Sequence, residues 1–234
     1  MARSSPPAGA SAKVARRART PVSGAVAGIA FAVLYGASLV ITRQTMGDGA
    51  SDNGEWLTGD TGPFKLALAL IPFAGIAFLW FIAVARERLG KYEDQFFSTV
   101  FMGSGLLFLA MVFVAAAVAG AMVVAAEGDP EAFADSTTYD FARTAVTQIL
   151  SIYALRMAAL FLLSQATLWM RTRVMPRWLA AFTVVVALVL LFVFTQSWWV
   201  VLVFPAWVLL VSVYILISRP GDGAAADGGV EDRR

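Results

Sequence analysis

Residues 178–218 read WLAAFTVVVALVLLFVFTQSWWVVLVFPAWVLLVSVYILIS, an almost unbroken apolar run interrupted near its middle by Thr195, Gln196 and Ser197. As a single helix, about forty residues at 1.5 Å each would extend about 60 Å, twice the ~30 Å hydrocarbon core of a bilayer. A spanning helix needs only about 20 residues. The run therefore reads as two antiparallel spans, 178–195 and 198–218, joined by a tight turn near 195–199. Four further stretches of spanning length precede it, at 24–42, 63–85, 98–126 and 144–170, of which the third and fourth are long enough to tilt or protrude. The expected fold class is all-α: a polytopic membrane protein built as a bundle of six transmembrane helices.

Composition points the same way. Hydrophobic residues supply 59% of the 234 residues and charged residues 15%, against roughly 25% charged in soluble domains. Mean hydropathy is +0.72. A soluble enzyme is thereby excluded. The chain has no Cys and no His, the side chains that hold most structural zinc, iron–sulfur and haem sites, so no metal site and no cofactor is expected. Arg outnumbers Lys by 15 to 3, a bias that fits a bacterial source.

The net charge of +2 conceals a polarised distribution. Fourteen Lys and Arg residues fall in the N-terminal tail, the second and fourth loops and the C-terminal tail. Only Arg43, Lys65 and Arg143 fall on the opposite side, whose loops carry Asp48, Asp52, Glu55, Asp60, Glu127, Asp129, Glu131, Asp135 and Asp140. Cytoplasmic loops are the basic ones in membrane proteins. The expected topology therefore places both termini in the cytoplasm and the chain in the bacterial plasma membrane. Residues 1–22, rich in Ser, Pro, Ala and Arg, and residues 219–234, rich in Gly, Ala and Asp, are expected to be disordered cytoplasmic tails flanking a transmembrane domain at 23–218. The first apolar run is longer than the core of a cleaved signal peptide, so it reads as an uncleaved signal-anchor. Pro72 in the second span has no counterpart in the fifth, so an inverted three-helix repeat gains no support.

Small residues recur every fourth position of the first span, at Gly24, Gly28, Ala32 and Gly36. That spacing clears a face for close helix approach, either inside the bundle or between two copies of the chain. Trp56, Trp169, Trp178, Trp198 and Trp199 stand near span ends, where amphipathic rings form interfacial belts.

The fourth span differs from the rest because it carries Gln148, Ser151, Tyr153, Arg156, Ser164, Gln165 and Thr167. At 100° per residue, Tyr153, Arg156, Leu160, Ser164 and Thr167 fall within an arc of about 80°. No Asp or Glu lies in any of the six spans, which counts against a proton or cation pathway. The candidate ligand-binding residues are Arg156, Tyr153, Gln148, Ser164 and Thr167, and an anionic small molecule or a lipid headgroup is the partner that Arg156 would recognise.

The basic break Arg171, Thr172 and Arg173, followed by Pro176, Arg177, Trp178 and Leu179 at the head of the next helix, resembles a broad group of uncharacterised bacterial six-helix integral membrane proteins. The resemblance covers residues 63–218 and implies the same six-helix layout. It brings no functional residues with it.

A membrane enzyme would need converging nucleophiles, bases or metal ligands, and nothing paired lies within the spans, so catalysis is not expected. Two readings stay open. In one, the chain binds or transports a small anionic or polar solute at the fourth-span stripe. In the other, it is a non-catalytic scaffold or assembly partner, and Arg156 holds helices together. The bilayer is a partner in both, a homo- or hetero-oligomer is compatible with both, and no nucleic acid is expected in either.

Overall fold

In hydrocarbon every backbone N–H and C=O must be satisfied within the chain, so long apolar segments become helices. The computed structural model describes residues 8–46, 54–89, 95–172, 175–192 and 198–218. Among them it contains no strand. The helices are α1 (Ala8–Met46), α2 (Gly62–Leu89), α3 (Gln95–Ala125), α4 (Pro130–Ala134), α5 (Thr137–Gln148), α6 (Leu155–Thr172), α7 (Arg177–Phe192) and α8 (Trp198–Ile217). Five stretches are long and apolar enough to cross a membrane: Ser23–Met46, Gly62–Arg86, Ser98–Ala125, Thr137–Thr172 and Trp199–Ile217. Large apolar side chains face outward on them, with Phe73 62% and Trp80 63% exposed on α2, as lipid-facing positions require. The architecture is that of an all-α, multi-pass membrane protein.

Three expectations meet a different outcome. The fifth expected span appears as α7, whose 16 residues cover about 24 Å, less than the hydrocarbon core. The turn expected at 195–199 falls largely on residues 193–197, outside the described residues, as do residues 1–7 and 219–234 of the tails and Asp48, Asp52, Lys91 and Arg173 of the loops. Helix α1 reaches back to Ala8, through much of the stretch expected to be disordered. The fourth span begins at Thr137 rather than near Thr144, because Ser136 Oγ accepts the N–H of Tyr139 at 3.2 Å and caps the helix there.

The bundle has two layers. Helix α1 packs on α2 and α8, α6 packs on α7 and α3, and α2 joins α3. At the centre five helices meet through the buried phenylalanines Phe31, Phe78, Phe108, Phe161 and Phe204, with Phe81 and Phe101 in the same cluster. Ring centroids lie 4.6 Å apart for Phe31 and Phe78, 4.7 Å for Phe108 and Phe204, and 5.5 Å for Phe78 and Phe161. Such tilted and edge-on arrangements add to the area the rings bury. Polar ties join the helices at particular points. Ser38 donates to the Ala67 carbonyl at 2.8 Å, linking α1 to α2, and Trp207 Nε1 donates to Thr183 Oγ1 at 3.0 Å, linking α8 to α7. Gly24 and Gly28 lie in the α1 seam: a Cβ on Gly24 would stand 2.5 Å from Val84 Cγ1, and one on Gly28 would run into Ser212 Oγ and lie 2.9 Å from Phe81 Cδ2. Gly36, expected in the same seam, has nothing within 4 Å of its Cβ position.

A small cap closes the end of the bundle where α1 finishes and α2 starts. It combines a 3-10 turn (Glu55–Leu57), α4 and the first turn of α5. Trp56 Nε1 donates to Tyr139 Oη at 3.1 Å, and Leu57, Met122, Ala126 and Tyr139 form its core. Gly54 has φ 81°, and a Cβ there would stand 2.6 Å from Ala134 Cβ, so both backbone angle and space demand glycine. The Lys65–Glu127 ion pair beside the cap is 3.7 Å long and exposed, and contributes little.

Candidate ligand cavity

Thr137–Thr172 is one rod of 36 residues, but it is not uniform. Between α5 and α6, residues Ile149–Ala154 form a wide π-helical turn. Such turns interrupt the regular ladder and recur at functional sites. At its end the Ile152 carbonyl accepts both the N–H of Leu155 and Nη1 of Arg156, the latter at 2.9 Å. Helical side chains lean toward the N-terminal end of their helix, which brings the guanidinium back over this turn.

The wide turn also breaks the angular count that placed five residues on one face. Tyr153, inside the turn, is 58% exposed, whereas Ser164 is 5% exposed. Arg156 and Thr167 are half-buried, as is Gln148 at the end of α5. Ser164 and Thr167 donate to carbonyls of their own helix, those of Leu160 at 2.9 Å and Leu163 at 2.8 Å. The structure therefore does not gather Tyr153, Gln148, Arg156, Ser164 and Thr167 around one space.

A space does exist one to two turns nearer the cap. A partly open cavity of about 70 Å³ lies between α1, α2, α3, α5 with its wide turn, and α8. Its apolar walls come from Leu39, Phe64, Leu68, Ile71, Val112, Ala115, Ala116, Leu150 and Val201, among others. Its polar wall comes from Tyr35, Ser38 and Thr42 on α1 and from Arg143, Thr147 and Ser151 along the fourth rod. Arg143 is the one charged side chain among the described lining residues. Its Nε is buried and makes no hydrogen bond, while other atoms of the residue are engaged. Thr147 Oγ1 donates to the Arg143 carbonyl at 3.0 Å, which holds that side chain on the rod.

The phenylalanine cluster lies next along the same helices. Following each helix away from the cap, Tyr35 gives way to Phe31, Ile71 to Phe78, Val112 to Phe108, Ser151 to Phe161 and Val201 to Phe204. Every one of these rings is buried.

Sequence reading treated Arg143 only as a loop-side cation. The signal was present, because Arg143, Thr147 and Ser151 recur every fourth residue and so share a helical face. Tyr35, Ser38 and Thr42 carry a similar spacing on α1. Nothing in either pattern says that the two faces meet. What the geometry defines is a multi-pass helical membrane protein with a partly open cavity that Arg143 helps to line. Compared with protein-family profiles, with curated proteins and with solved structures, the chain finds no match.

Proposed function

We propose that the protein is a non-catalytic, multi-pass component of a bacterial plasma membrane, with six spans and both termini cytoplasmic, that binds a small guest in the five-helix cavity. The observation that carries this reading is the lining. The described walls run from Met46, Phe64 and Met122 near the cap to Tyr35, Ile71 and Val112, and the buried cluster of Phe31, Phe78, Phe108, Phe161 and Phe204 follows along the same helices, a form suited to holding a molecule rather than conducting one. In this proposal the solute site expected around Arg156 moves to the cavity that contains Arg143.

Arg156 bonds to the Ile152 carbonyl of its own rod, which supports a role in holding the wide turn rather than a place in the cavity. The two roles are compatible, because they belong to different residues.

Binding is tested on the full chain in phosphatidylcholine nanodiscs with radiolabelled 1-octanol, by scintillation proximity. Partition into lipid does not saturate, whereas occupation of a site does. Wild type should show a saturable component, and Ala116→Phe, which fills the cavity from α3, should lack it. A saturable component of equal size in both would place the guest elsewhere and end this reading.

A further inference from the structure

Hydroxyl groups line the cavity along its length. From the cap inward, α1 presents Thr42, Ser38 and Tyr35, and the fourth rod presents Thr147 and Ser151. Three of these hydroxyls, on Tyr35, Thr42 and Ser151, make no hydrogen bond among the described residues. Tyr35 is only 2% exposed. Its oxygen is nevertheless not one of the sealed polar atoms without a partner, which among the described residues are Arg143 Nε, Gln165 Oε1 and Ser212 Oγ, so it opens on the cavity. The wide turn accounts for Ser151. A serine or threonine inside a regular helix can bond back to the carbonyl four residues earlier, as Ser164 and Thr167 do. Ser151 stands within the wide turn, where that ladder is interrupted, and its hydroxyl is left for a guest. Ser38 and Thr147 instead donate to the carbonyls of Ala67 and Arg143, which leaves their oxygens able to accept.

We propose that the cavity seats a small uncharged polyol group, about the size of glycerol, against these two hydroxyl-bearing faces. This rests on the cavity being the protein's ligand site and adds the chemical class of the ligand. An alcohol both donates and accepts, so it answers the unpaired hydroxyls of Tyr35, Thr42 and Ser151 and the accepting oxygens of Ser38 and Thr147 together. A carbonyl or a carboxylate only accepts. The C–H edges of a polyol fit the apolar walls of Leu68, Ile71 and Val112. Size agrees as well: a volume of about 70 Å³ holds roughly five to seven water-sized groups at about 10–15 Å³ each, and a glyceryl group has about six non-hydrogen atoms. Arg143 has no part in this recognition, since its side chain is already engaged. The same chemistry is offered by a free polyol and by the polyol head of an uncharged single-chain lipid, whose chain would leave through the open side.

The nanodisc assay reads the class directly, with radiolabelled 1-O-octylglycerol compared with 1-octanol, octanoate and octylammonium at equal concentrations in the lipid. In wild type, octylglycerol should bind saturably and about tenfold or more tightly than 1-octanol, because its additional hydroxyls each add a hydrogen bond. Neither charged probe should exceed 1-octanol. This comparison needs no variant. Tyr35→Phe removes one hydroxyl and keeps the ring beside Phe31 and Phe108, and Ser151→Ala removes another. Each should weaken octylglycerol by about threefold to tenfold, with a smaller effect on 1-octanol. Displacement of octylglycerol by glycerol would identify a free polyol as the guest, and its persistence in excess glycerol would identify a lipid head; either result upholds the polyol. Octanoate or octylammonium binding more tightly than octylglycerol would overturn the uncharged class. Octanol binding as tightly as octylglycerol, with both variants indifferent, would overturn the polyol while leaving the cavity as a site. Absence of saturable binding for every probe would overturn both the ligand class and the site.

Discussion

Adding one carbon to Gly28 would drive it into the Ser212 hydroxyl and the Phe81 ring, whereas the same carbon on Gly36 would meet no atom within 4 Å. The two glycines belong to one every-fourth-residue pattern, and helical geometry explains why they diverge. Four residues turn a helix by 400°, so each step drifts about 40° around the axis, and after three steps from Gly24 the position has moved about 120°. The spacing was therefore legible in the sequence, while the length over which it serves a single neighbour was not. Overpacking a close seam costs about 1–3 kcal/mol. Gly28→Ala should lower the free energy of unfolding read from a sodium dodecyl sulfate titration by that amount, with an earlier midpoint. Gly36→Ala should leave it unchanged or raise it slightly, since alanine is favoured over glycine in a helix by roughly 0.5–1 kcal/mol. Equal losses in both variants would mean that α1 packs through a broader face than the one described.

Among the elements, the fourth rod shows most clearly where sequence reading stops. The polar residues along it are visible, and so is its excess length: 36 residues make about 54 Å. What is hidden is the wide turn at Ile149–Ala154, a stretch that contains no Pro or Gly to mark it. Counting 100° per residue holds on either side of that turn and fails across it, which is why Tyr153 faces out while Ser164 faces in. Arg156 is bonded to the turn through the Ile152 carbonyl, and a hydrogen bond from a charged group contributes about 1.5–3 kcal/mol. Arg156→Leu should therefore speed amide exchange across 149–157 by roughly tenfold or more, with saturable octanol binding retained. Loss of binding with exchange unchanged would return Arg156 to the ligand site and remove its helix-holding role.

For the molecule as a whole, the decisive quantities are lengths and charge asymmetry. Apolar run lengths made the helices legible, because the bilayer imposes a fixed thickness. The cavity was not legible, because its walls come from five helices whose relative rotation depends on packing. The number of crossings turns on α7, whose 16 described residues cover about 24 Å, and a span that short is accommodated by local thinning of the bilayer at modest cost. With no native cysteine, single cysteines labelled from outside intact cells with an impermeant thiol reagent can count the crossings directly. Thr138 and Thr172 lie at opposite ends of the Thr137–Thr172 rod, whose ~54 Å exceeds the ~40–45 Å of a bilayer with its headgroups. One of the two must therefore react and the other must not. The basic residues Arg171 and Arg177 accompany Thr172, so the expected result is labelling at Thr138→Cys and none at Thr172→Cys; the reverse would invert the whole topology. Ser218, just beyond α8, then reports on α7. If α7 and α8 both cross, Ser218→Cys lies on the cytoplasmic side with Thr172 and stays unlabelled. Labelling of Ser218→Cys would contradict the direction in which α8 runs, from Val201 toward the cap to Tyr214 beside Trp178, and would reduce the protein to five spans with termini on opposite faces.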